Sequence, residues 1–87
     1  MAESIIVNSP DEAISLANEY LTEHPTLSME IKSVQKSSEW IDGHRIINAP
    51  VYIVNCNNLK ENPMEGGHFL SIVIGIYSGK IEDVAAH

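Results

Sequence analysis

Eighty-seven residues, 44% apolar and 20% charged, fit one small globular domain, with room for a core but not for a deep enclosed active site. Twelve acidic against five basic side chains give a net charge of −7 and a pI near 4.8. Such a field repels phosphate backbones and anionic membranes, so no nucleic acid and no membrane partner is expected, whereas a basic protein is attracted.

The N-terminus, Met-Ala-Glu-Ser-Ile-Ile-Val, has neither the basic start nor the long apolar stretch of a signal peptide, and a cytoplasmic setting is expected. Glu3 to Val7 reads as a short strand or as a lead-in packed under the first helix. Ser9-Pro10-Asp11-Glu12 then opens that helix. Ser9 suits the N-cap, Pro10 the first helical position, and Glu12 the capping-box place three residues after the cap. Ala13, Ile14, Leu16, Ala17, Tyr20 and Leu21 recur at steps of three and four residues and predict one apolar face. Pro25 disfavours helical geometry at the residue before it, which ends the helix around Thr22 to His24.

Leu27, Met29 and Ile31 alternate with polar residues, the period of a half-buried strand, and Val34 falls out of phase, which predicts a bulge or twist near Ser33. Ser37 to Gly43 reads as a loop with an Asp42-Gly43 turn, and Arg45 to Ile47 starts a strand that Asn48-Ala49-Pro50 breaks. Val51 to Cys56 has strong strand propensity. Asn57 to Gly67 reads as a long polar loop. Phe69 to Tyr77 is apolar on both faces except at Ser71 and Gly75, which predicts a central strand, and it is far shorter than the ~20 residues that span a bilayer. Ser78-Gly79 suits a two-residue hairpin turn with positive φ at Gly79, after which Ile81 to Val84 returns as an edge strand. The expected fold is therefore α+β, with one N-terminal helix packed on an antiparallel sheet of about four strands.

No residue pattern carries a reaction of any specificity. Cys56 ends an apolar strand without an oxyanion-type loop beside it, and as the single cysteine it forms no intrachain disulfide. His24, His44, His68 and His87 stand far apart, with no pair at metal-ligand spacing. Glu65-Gly66-Gly67-His68 lacks the following helix and the lysine of a phosphate-cradling loop. Asp11-Glu12 and Glu82-Asp83 are accounted for by helix capping and by edge protection. No catalytic residue, metal or cofactor is expected.

Trp40 stands out as the single tryptophan, set between Glu39 and Asp42. It reads either as a lid over one end of the core or as an anchor ringed by acids that meets a basic partner. Met64, between Glu61 and Glu65, repeats the pattern more weakly. Glu39, Trp40, Asp42, Glu61, Met64 and Glu65 are the candidate contact residues.

Residues 9–21, with the Glu-Ala-Ile-x-x-Ala-x-x-Tyr-Leu helix, and residues 72–84, with the terminal Tyr-Ser-Gly-Lys-Ile-Glu-Asp-Val hairpin, resemble the small helix-plus-meander domains typified by the PepSY domain. The same layout is similar to small bacterial immunity proteins that neutralise toxins. The resemblance covers the two ends of the chain and leaves residues 35–68 outside it. It implies a binding or inhibitory module rather than an enzyme and transfers no functional residue. The expected function is accordingly an immunity-type inhibitor of a basic toxin such as a nuclease, with a PepSY-like accessory domain, restraining a peptidase or stabilising an assembly, as the alternative.

Overall fold

A computed structural model describes residues 7–25, 29–42, 45–59 and 69–86. Helix α1 runs Pro10–Glu23. Ser9, in extended geometry, caps it by accepting from the Glu12 N–H at 3.3 Å. The Glu12 carboxylate reaches back one residue beyond the usual capping box and accepts the Asn8 N–H at 2.6 Å. At the far end the His24 N–H donates to the Leu21 carbonyl, and the His24 ring, stacked on Tyr20 at 4.2 Å, bonds the Tyr20 carbonyl through Nδ1 at 2.8 Å. These bonds and Pro25 close a helix that has no glycine stop. Ala13 and Ala17 are fully buried, and their small side chains let the helix axis approach the sheet closely.

The sheet holds β1 (Met29–Ser37), β4 (Val51–Asn58), β5 (Phe69–Gly75) and β6 (Ile81–Ala86), in the antiparallel order β1-β4-β5-β6. The expected α+β architecture, one helix on four antiparallel strands, is what the chain forms. β5 lies inside the sheet and β6 on its edge, as their apolar patterns predict. The β1–β4 register slips between Ile31 and Ser33, which brings Val34 onto the same core as Met29 and Ile31. That core lies under the helix. It joins Val7, Ala13 and Ala17 to Tyr52, Val54 and Cys56 of β4 and to Leu70, Ile72 and Ile74 of β5. Val7 is the inner end of the N-terminal lead-in, tied by its N–H to the Ile76 carbonyl at 3.1 Å; residues 3–6 lie outside the described residues, as do 27 and 28.

Three local expectations are corrected. The stretch Ser37 to Gly43 is not all loop, because β2 (Trp40–Asp42) pairs antiparallel with β3 (Arg45–Ile47) as a separate two-stranded sheet. A three-residue strand is too short to show a period; this one is held by what its inward residues pack against. Asn57 and Asn58 belong to β4 rather than to the following loop, since their backbones remain paired with Glu30 and Met29; residues 60–68 lie outside the described residues. The β5–β6 connection is not a two-residue turn but residues 76–80, in which the Gly79 N–H donates to the Gly75 carbonyl at 2.9 Å and the Gly75 N–H to that of Lys80 at 3.0 Å. Gly79 has the expected positive φ, 67°. Ile76 continues the β5 alternation into the helix-side core and its N–H donates to the Pro50 carbonyl at 3.1 Å, so the chain runs on beside β4 after it has parted from β6.

Candidate functional site

Alternation along β4 and β5 sends Val51, Ile53 and Val73 to the face away from the helix. These three buried residues form a second, smaller core, closed by Trp40 and Ile47 of the β2–β3 hairpin. The next row of that face is polar, and Phe69, 55% exposed, lies beyond it. Asn55 donates from Nδ2 to Ser33 Oγ at 3.3 Å and accepts from Ser71 Oγ at 3.3 Å, so a hydrogen-bonded row crosses β1, β4 and β5. The hairpin thus sits on the apolar half of the face.

Trp40 and Ile47 are cross-strand partners facing this core, which obliges the next pair, Ile41 and Ile46, to face outward. Ile41 is 63% exposed and Ile46 66%. Two adjacent β-branched side chains are thus left in water on a small acidic protein, while Leu59, which follows β4, and Phe69, on β5, are also exposed. Glu39, exposed, precedes them, and Asp42, half-buried, follows opposite Arg45.

Two side-chain contacts fasten the hairpin to the edge strand β6. Trp40 Nε1 donates to Asp83 Oδ2 at 2.7 Å, in a partly buried position, while Asp83 Oδ1 accepts the Val84 N–H at 2.9 Å. Arg45 Nη2 faces Glu82 Oε2 at 3.4 Å, and the other Glu82 oxygen accepts from Ser78 Oγ at 2.6 Å. Two carboxylates of β6, Glu82 and Asp83, therefore hold the hairpin.

Of the six residues picked from the sequence, Glu39, Trp40 and Asp42 share this hairpin, and Glu61, Met64 and Glu65 lie outside the described residues. Trp40 occupies the lid position that sequence reasoning set beside a contact role: its ring covers the second core and its indole N–H is bound to Asp83. Ile41, Ile46 and Glu82 were missed. A signal was available, because Trp-Ile and Ile-Ile flank Asp-Gly-His-Arg symmetrically, as the strands of a hairpin flank its turn.

Cys56 lies in the helix-side core, 1% exposed, where burial pushes its thiol up to about 11. It is protonated at neutral pH and packs as a small apolar side chain. Among the described residues no group of three or more His, Cys, Asp or Glu is arranged to hold a metal ion. Among the described residues no helix is long and apolar enough to cross a membrane. Set against known protein families, curated proteins and solved structures, the chain has no significant match in any of the three comparisons.

Proposed function

We propose that this chain is a non-enzymatic, acidic protein-binding module, and most concretely an immunity-type inhibitor that covers the active site of a basic toxin such as a nuclease. The observation that carries the reading is the exposed Ile41–Ile46 pair, bordered by Glu39 and Asp42 on a hairpin fastened at its inner side. An apolar centre with a charged rim is the anatomy of a protein contact surface. Acidic side chains at the rim can take the places that a nuclease cleft keeps for substrate phosphates, and a charge of −7 speeds the approach of a basic partner. Because Trp40 is engaged from within, the reading makes Ile41 and Ile46 the anchors and Trp40 their support.

The test mixes the purified chain with the toxin domain encoded beside its own gene, at about 0.05 and 0.5 M salt, and follows association by stopped flow. Association is expected to slow steeply with salt and to slow again in a Glu39→Lys/Asp42→Lys variant. Ile41→Ser/Ile46→Ser is expected to speed dissociation by about tenfold or more. A salt-independent on-rate with full affinity in both variants overturns the surface and its electrostatics. A neighbouring gene that encodes no toxin overturns the immunity assignment.

A further inference from the structure

Beside the hairpin lies a cleft of about 290 Å³, between the β3–β4 link and the β5–β6 connection. Ile47, Pro50 and Tyr77 supply its apolar and aromatic lining, and Glu82 its one charged group. Gly75 keeps this arrangement possible, since a Cβ there would run into Ser78 Oγ and press on the Glu82 side chain. The two oxygens of Glu82 are unequally served. Oε1 holds a short bond from Ser78 at 2.6 Å, whereas Oε2 has Arg45 Nη2 at 3.4 Å, well beyond the ~2.7–2.9 Å of a good charge-assisted bond. The Glu82 side chain is 25% exposed and that of Arg45 52%. A carboxylate partly withdrawn from water thus keeps one oxygen loosely paired with a side chain that has ready access to solvent.

The geometry points to this cleft as the seat of one arginine side chain from a basic protein partner, with Arg45 as a displaceable placeholder on Glu82. The inference rests on the binding role proposed above and names the chemistry that role would use next to the hairpin. The cleft is small, at the bottom of the ~300–1,000 Å³ range of ligand pockets, which suits one side chain better than a whole metabolite. Its carboxylate and the net charge of −7 disfavour an anion and a second copy of the chain, and favour a cation. A guanidinium fits better than an ammonium, because its planar fork pairs with a carboxylate and stacks on an aromatic wall such as Tyr77.

An experiment on the full chain needs no knowledge of the partner. An acetylated Gly-Arg-Gly amide is titrated into isotopically labelled protein, with the lysine and norleucine peptides as comparisons, and backbone amide shifts are followed. The arginine peptide is expected to shift Tyr77, Ser78 and Glu82 saturably and the norleucine peptide not to. Glu82→Gln, which retains the acceptor for Ser78, should weaken binding by about fivefold or more, and Arg45→Ala should tighten it by about two- to threefold. Shifts that follow every exposed acid in proportion to charge and persist in Glu82→Gln overturn the proposal, as does equal binding of the norleucine peptide or weaker binding by Arg45→Ala. Ile41→Ser/Ile46→Ser should bind the arginine peptide like the parent chain. Peptide binding intact beside failed toxin binding would sink the proposed function alone, and the reverse would sink the cleft alone.

Discussion

On its helix side the sheet is covered by a fourteen-residue helix over a core that draws on β1, β4, β5 and β6. On the other side, among the described residues, Val51, Ile53 and Val73 form a small core under two inward residues of a hairpin with three residues per strand, and the next row is polar. Apolar burial is the main driving force of folding, so the helix side carries most of the stability. The hairpin side depends on a small core, one hydrogen bond to a carboxylate and one exposed ion pair of little worth. It is also the side on which a large apolar pair faces solvent next to acids. The contrast separates the face that makes the molecule fold from the face to which the proposed function assigns the partner contact.

The contrast can be broken most directly in the core. Ile72→Ala removes a fully buried side chain beneath the helix and is expected to cost about 2–5 kcal/mol. Chemical denaturation should show that loss in a single transition of the whole domain; a cost under ~1 kcal/mol would mean that stability resides elsewhere. Trp40→Ala should cost less, about 1–3 kcal/mol, from lost cover over the second core and the lost bond to Asp83. Amide hydrogen exchange should speed up in the hairpin and leave α1 unchanged. Global loosening in that variant would merge the two faces into one cooperative core. The smallest effect sharpens the picture of the helix side: Ser9→Ala should cost about 1 kcal/mol through the lost cap. An unchanged denaturation midpoint would show that the Glu12–Asn8 bond alone holds the helix start.

The two faces also differ in how far they could be read from the chain. The helix was legible because fourteen residues repeat their period several times, and because Ser9, Glu12 and Pro25 act on groups within a few residues of themselves. The interior place of β5 was legible because a segment apolar on both faces has no stable place at an edge, whereas β4 was legible as a strand by propensity alone. The bulge near Ser33 was visible as a break in alternation, and the positive φ of Gly79 as a local preference of glycine. Trp40 and the acids beside it stand out in the sequence, yet their spacing alone does not say which way the ring turns.

Sequence by itself therefore determined the helix and its ends, the strands of the main sheet, the antiparallel α+β class and the strongly acidic surface, because these follow from local preference, periodicity and charge count. Tertiary structure decided that Trp40–Asp42 is a strand, that Trp40 turns inward to Asp83, that Ile41 and Ile46 are left facing water, and that Glu82 meets both Ser78 and Arg45. The physical reason is range. A three-residue strand gains too little from its own backbone to form alone. It forms here because Trp40 and Ile47 close over side chains of β4 and β5, while Asp83, 43 positions along the chain from Trp40, accepts the indole N–H; contacts made over that distance leave no mark on local spacing.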